Sequence, residues 1–384
     1  MSYISKIKDK FQQLYVDKPI LVRSPGRINL IGEHTDYNQG WVLPAAIDKY
    51  IYMAVQKRKD EEIHIFSIDY NEEYQASTDS LIHSGKLWPD YILGVVDELK
   101  KAGSEIAGFN CVFGGDIPLG AGLSSSAALE CVTGFSLNEL FDLKLDRLTL
   151  VKIAQKAENN FVGLKSGIMD QFASMFGKNG YAIKLDCLTL QYDLEPIKFE
   201  GITIVLFDTN VKHSLASSAY NKRRQECEEG VALVKEHQPQ VNSLRDVTVD
   251  MLDQYVAGKN ELVYKRCKFI VLENKRVLEG CIDLENHKLE DFGKKMFATH
   301  DGLSKDYEVS CAESDFLVDY VKNNPSVLGA RMMGGGFGGC TINLIKDSEV
   351  DGLVENISKA YEENMGKELT VHHIRIKNGT EIID

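Results

Sequence analysis

The stretch PLGAGLSSSAALE, residues 118–130, follows the strand-like GFNCVFGGD (108–116) and runs into the apolar, helix-like SSAALECVTGFSLNEL (125–140). Strand, glycine-rich turn and helix is an order that presents unpaired N–H groups to an anion. Small residues let the backbone come close, and the helix start aims its first N–H groups and its dipole at the bound charge. Yet the loop holds no lysine or arginine. The Walker spacing G-x-x-x-x-G-K-[ST] therefore does not fit, nor does the G-x-G-x-x-G of dinucleotide folds. No G-x-S-x-G surrounds Ser124–Ser126, which argues against a nucleophilic serine. On its own residues the loop reads as a phosphate cradle or as a tight turn ending in a serine N-cap.

Two other stretches bear on that choice. In SPGRINLIGEHTDYNQGWVLPAAI (24–47), Arg27, Glu33, His34 and Asp36 stand among apolar residues and turn formers. Buried charges of both signs need partners, and a polyhydroxylated ligand would supply them. In RMMGGGFGGC (331–340), five glycines fill the six positions 334–339, interrupted only by Phe337. Such a backbone is shaped for close approach to a ligand or to another loop, or else serves as a hinge.

The chain has 384 residues, a length that suits about two domains. Hydrophobic residues make up 43% and charged ones 26%, the composition of a globular protein. A net charge of −13 argues against nucleic acid as the main partner, since phosphate backbones require a basic face. The eight cysteines form no C-x-x-C, so zinc and redox motifs have no support, and reduced thiols are expected. MSYISKIKDKFQQLY lacks the apolar core of a signal peptide, and no run reaches membrane-span length. The expected setting is cytoplasmic, away from membranes.

Texture changes along the chain. YIYMAVQKR (50–58) and EIHIFSIDY (62–70) read as strands, and 88–103 as a helix closed by Gly103. ITIVLFDT (202–209) is continuously apolar and so predicts a central strand. Residues 215 to 323 are mostly helical. Strand 340–347, helix 349–366 and strand 370–377 follow. The class expected is α+β, with a soft boundary near residue 200 separating 1–200 from 201–384.

GRINLIGEHTDYNQGWVLP closely resembles the galactokinase signature, and PLGAGLSSSAA resembles the phosphate-binding motif of the wider GHMP small-molecule kinases. GARMMGGGFGGC is similar to the third motif of that superfamily, and AENNFVGLKSGIMDQFAS (157–174), LASSAYNKRRQECEE (215–229) and THDGLSKDYEVSCAESDFLVD (299–319) also fit galactokinases. The resemblance thus spans nearly the whole chain. Ser166 stands where these enzymes often have cysteine, Asn159 where histidine is frequent, and AESD (312–315) replaces a more usual E-L-D pattern. None of these departures falls on a charged site residue.

The resemblance implies a two-domain GHMP kinase fold with galactose and ATP in the interdomain cleft. It implies transfer of the γ-phosphoryl group to the anomeric hydroxyl, giving α-D-galactose 1-phosphate at the entry to galactose catabolism. The loop Gly120, Ala121, Gly122, Leu123, Ser124, Ser125 and Ser126 would wrap the triphosphate. Mg²⁺ would take the place of the missing lysine, on Ser126 and Glu158. Without the resemblance, Glu158 would read as an exposed helix residue. Glu33, His34, Thr35, Asp36 and Tyr220 would bind the sugar, although Tyr220 alone reads as a packing residue. Asp170 would be the base or the orienting group, with Arg27 as its partner. Ser67 and Trp88 match positions near the nucleotide, and Trp88 fits plain core equally well. An N-acetylgalactosamine kinase and a non-catalytic galactose/ATP-sensing regulator are the alternatives, and a monomer or weak homodimer is expected.

Overall fold

The computed structural model describes residues 2–211 and 216–383, without the side chains of residues 216 and 217. Leu215, which begins one of the quoted stretches, lies outside the described residues. The chain opens with α1 (Tyr3–Leu14), whose N-cap Ser2 accepts from Ser5 N–H. Then come β1 (Ile20–Asn29), β2 (Trp41–Val42), β3 (Pro44–Lys57), β4 (Glu62–Ser67) and β5 (Glu72–Ser77). Helix α2 (Leu87–Lys101) and β6 (Phe109–Gly115) lead to the loop and to α3 (Ser125–Phe141). After α4 (Arg147–Lys156), one π-helical turn spans Ala157–Val162, and α5 (Met169–Phe176) follows. Strands β7 (Tyr181–Asp186), β8 (Tyr192–Pro196) and β9 (Ile202–Asp208) end the first half.

The second half is helical first: α6 (Ala216–Lys235), α7 (Val249–Tyr255), α8 (Glu261–Glu285), α9 (Leu289–Lys305) and α10 (Ala312–Val321). It closes with β10 (Val327–Met332), β11 (Cys340–Lys346), α11 (Val350–Met365), β12 (Thr370–His373) and β13 (Glu381–Ile382). Among the described residues the strands form three sheets, ordered β13-β1-β3-β6-β4-β5, β10-β11-β9-β12 and β2-β7-β8. Helices and mixed sheets make this an α+β fold.

Helix α3 is apolar on all sides, and its residues Ala127–Asn138 are nearly all buried, as expected of a helix running through a core. The six-stranded sheet and helices α2 and α3 enclose one large core, which also includes Leu206 of β9 and Phe292, Met333 and Ile342 from the second half. The apolar run 202–209 forms β9, which lies between β11 and β12 as its composition predicts. The chain end returns to the beginning: β13 pairs with β1, and Ser24 Oγ lies 2.8 Å from Thr380 Oγ1. All eight cysteines are free. Among the described residues no helix is long and apolar enough to cross a membrane.

Candidate active site

A cavity of about 470 Å³ opens between the two halves of the chain. Its walls carry Arg27, Glu33, His34, Asp36, loop residues Gly120 to Ser126 other than Ala121, Glu158, Asp170 and Tyr220, with Gly334–Phe337 closing one side. All three sequence stretches singled out above therefore meet at one place.

The loop comes first. Gly120, Gly122 and Ser124 have φ of 82°, 74° and 57°. This alternation of left-handed residues turns successive N–H groups toward one concave side. Helix α3 begins directly after it and has no acidic residue in its first turn, so its positive end is left for a ligand. The glycines of 334–339 lie against this loop. A Cβ on Gly334 would meet Gly122 O at 3.1 Å, and Cys340 N–H donates to Ala121 O at 3.1 Å. Close approach to another loop is thus one use of that stretch.

Arg27 sits on β1 beside a register shift at Pro25/Arg27, a bulge that re-aims the side chain. Its Nε and Nη2 donate to Asp170 Oδ1 and Oδ2, each at 2.7 Å, and Nη1 donates to Gly122 O at 2.6 Å. Burial opposes the guanidinium charge, but Asp170 outweighs it, and the Arg27 pKa is raised. Asp170 itself stands in the first turn of α5, facing the cavity.

Next to this pair is a polar recess. Burial, then repulsion from Asp170, pushes the Asp36 carboxyl up to about 7. Its neighbour Gly167 leaves room for it, because a Cβ there would fall 1.9 Å from Asp36 Oδ2. Burial, then the charge of Arg223, pushes His34 down to about 3, so its ring is neutral. Tyr37 Oη holds the ring through Nδ1 at 2.9 Å, while buried Nε2 makes no well-formed hydrogen bond among the described residues, with the Gly335 backbone close to the ring. An under-bonded ring nitrogen facing a cavity calls for a polar ligand. The Tyr220 ring lies 5.3 Å from that of His34 and covers the recess.

Glu33 is held more tightly than its sequence context suggested. Its Oε1 accepts from Arg331 Nη1 at 3.0 Å and from Gly334 N–H at 2.8 Å, and Oε2 accepts from Asn29 Nδ2 at 3.0 Å. Arg331 is fully buried and also donates to the carbonyls of Asn29, Leu30 and Met332. Arg331 and Asn29 were not singled out from sequence, although both lie within the quoted stretches.

Glu158 belongs to the π-helical turn, an irregularity common at functional sites. Its Oε2 accepts from Ser166 Oγ and, at 3.0 Å, from Gln171 Nε2, and it shares a hydrogen bond with the Ser126 hydroxyl. Burial is the main cause of its raised pKa. Gln171, also missed from sequence, donates a second time to buried Glu130. Thr35, Ala121, Ser67 and Trp88 do not line the cavity. The Thr35 hydroxyl reaches the Gly32 and Trp41 carbonyls at 2.8 and 2.6 Å and so fixes the turn that carries His34 and Asp36. Ser67 is buried at the end of β4, and Trp88 stacks on Tyr70 at 6.0 Å, which lines the adjoining hollow.

Fold and site together define a two-domain small-molecule kinase of the GHMP class. Residues 90–178 match the family model of the GHMP kinases N-terminal domain and residues 282–363 that of the GHMP kinases C-terminal domain. Residues 9–57 match the galactokinase galactose-binding signature. Galactokinases of Thermotoga petrophila and Clostridium acetobutylicum are 42% and 40% identical, over 94% and 100% of this chain and 99% and 100% of theirs. The crystal structure of Lactococcus lactis galactokinase complexed with galactose superposes with a TM-score of 0.95 at 35% identity, covering all of both chains. Methanococcus jannaschii mevalonate kinase, at 18% identity and a TM-score of 0.65 over 95% of this chain and all of its own, shares the fold. The chain belongs to the galactokinase family.

Proposed function

We propose that this chain transfers the γ-phosphoryl group of ATP to the C1 hydroxyl of galactose, releasing ADP and α-D-galactose 1-phosphate. The observation that carries the reading is the Arg27–Asp170 pair, bonded at 2.7 Å and set between an anion-shaped loop and a recess of polar side chains. The 120–126 backbone and the start of α3 bind the triphosphate. Asp36, His34 Nε2, Tyr220 and the open side of Glu33 hold the sugar hydroxyls.

As the sugar oxygen attacks phosphorus in line, ADP leaves with the electrons of the broken bond. The hydroxyl proton passes to Asp170 as the new O–P bond forms. Arg27 keeps that carboxylate oriented and offers its positive charge to the equatorial oxygens. Phosphoryl transfer asks for such positioning and charge neutralisation more than for a strong base.

Mg²⁺ fits the residues present. Ser126 and Glu158 bring a hydroxyl and a buried carboxylate together at the loop's end, and among the described residues no cation figures among the main influences that offset that carboxylate's burial cost. Two protein oxygens completed by phosphate and water suit this ion. Among the described residues no group of three or more His, Cys, Asp or Glu could hold a metal without such help. Bound there, Mg²⁺ would neutralise the phosphate charge that no lysine meets. The free cysteines fit a reducing compartment, and the cytoplasm is the proposed setting.

A coupled ADP-release assay over galactose, glucose, N-acetylgalactosamine and 2-deoxygalactose tests the reading. Galactose is expected to turn over and glucose, whose C4 hydroxyl points the other way, to lose about 10⁴-fold in kcat/KM, since a site built to bond a hydroxyl rejects a sugar that does not present it there. Comparable values for the two epimers refute it.

A further inference from the structure

Ser124 combines two unfavourable features. Its backbone sits at φ 57° and ψ 54°, in the left-handed region that any residue with a side chain avoids. It also stands at the N-cap of α3, where a serine ordinarily accepts a bond from the second or third N–H of the helix, yet it makes no such bond. Its hydroxyl donates instead to Asp170 Oδ2. Strain kept at a cavity-lining residue points to a task in the site.

The acceptor sites on Asp170 show what the task is. Among the described residues, Oδ2 takes both the Ser124 hydroxyl and Arg27 Nη2, whereas Oδ1 takes only Arg27 Nε. A carboxylate oxygen offers about two acceptor positions, so Oδ2 is filled and Oδ1 keeps one open. Three consecutive loop residues touch the pair: Gly122 O accepts from Arg27 Nη1, Leu123 O accepts from Arg27 N–H at 3.1 Å, and Ser124 reaches Asp170. Of these three contacts, the one from Ser124 alone is made by a loop side chain.

We propose that Ser124 is a positioning residue for phosphoryl transfer. Its hydroxyl fixes the Asp170 carboxylate so that Oδ1 meets the incoming sugar hydroxyl, and it ties that orientation to the seating of the phosphate loop. The role rests on the reaction assigned above.

Ser124→Gly is the test, because it removes the hydroxyl and suits the positive φ, so the fold is retained. At saturating ATP and galactose, its single-turnover rate should fall about ten- to a hundredfold, the worth of a bond to a charged group. The KM for ATP and the Kd for galactose should stay within about threefold of wild type, and the Tm should be no lower. In an Asp170→Asn background the same change should slow the reaction little further, because the shared target is gone. A wild-type rate, a loss confined to the KM for ATP, or fully additive losses in the double variant each overturn the proposal. The wild-type control separates the two claims: no galactose phosphorylation there sinks the reaction itself, and this role with it.

Discussion

Replacing Arg331 by Met tests whether the glycine-rich stretch and the sugar recess are clamped by charge. The side chain is fully buried and pairs with Glu33, itself buried, while donating to three backbone carbonyls. Methionine is close enough in length to fill the space, but it leaves the Glu33 carboxylate without its cation. Breaking a buried pair from one side costs about 3–5 kcal/mol. For 384 residues at about 2 cal/mol/K each, the unfolding entropy is roughly 0.8 kcal/mol/K. The expected fall in Tm is therefore about 4–6 °C. Calorimetry should show this for Arg331→Met, and a smaller fall for the Glu33→Gln, Arg331→Met double variant, which no longer buries an unpaired charge. A single variant that unfolds within about 1 °C of wild type refutes the reasoning. So does a double variant that loses the sum of both single effects.

Gly167→Ala should push the Asp36 carboxylate out of place, since the added Cβ would lie 1.9 Å from its Oδ2. Misplacement by about 1 Å can cost ~10²-fold in kcat/KM, and steady-state kinetics with galactose that match wild type would contradict it. Galactose affinity should rise about tenfold between pH 6 and pH 8 as Asp36, with a pKa of about 7, ionises to accept sugar hydroxyls. Without sugar the sign is opposite: the folded carboxyl keeps its proton to about 7 and the unfolded one only to about 3.8, so Asp36 lowers stability as pH rises through that window. Titration calorimetry that is flat across pH 6–8, or a slope that survives Asp36→Asn, would count against this. Ser126→Ala and Glu158→Ala should each cut turnover severely and raise the Mg²⁺ needed, while nucleotide-free galactose binding stays near wild type. Full turnover at low Mg²⁺ in either variant defeats the metal assignment.

The sequence made legible what depends on neighbours along the chain. Ser125 starts α3 where the reading placed the helix, because apolar periodicity and the glycine-rich turn are local signals. Arg27, Asp36 and the loop were identifiable because each lies in a distinctive motif. What could not be read was how distant stretches fill each other's needs. The bond from Arg331 to Glu33 crosses 298 positions, and nothing near either residue names the other. Gly167 looks like any loop glycine until Asp36 is brought against it. Ser124 reads as an ordinary cap, and only the fold shows its hydroxyl turned away from the helix toward Asp170.

The pairing of β13 with β1 has a bearing on how the protein is made. Glu381 bonds Arg23 and Ile383 N–H donates to Leu21 O, so the outer edge of β1 is covered by residues that are synthesised long after it. At about 5–20 residues per second, the polypeptide between them takes roughly 20–70 s to synthesise. Throughout that interval β1 can pair with β3, but its other side shows bare N–H and C=O groups to the crowded cell, the kind of edge that recruits foreign strands. Nascent chains stalled before residue 381 should therefore associate with chaperones longer than chains that have passed it.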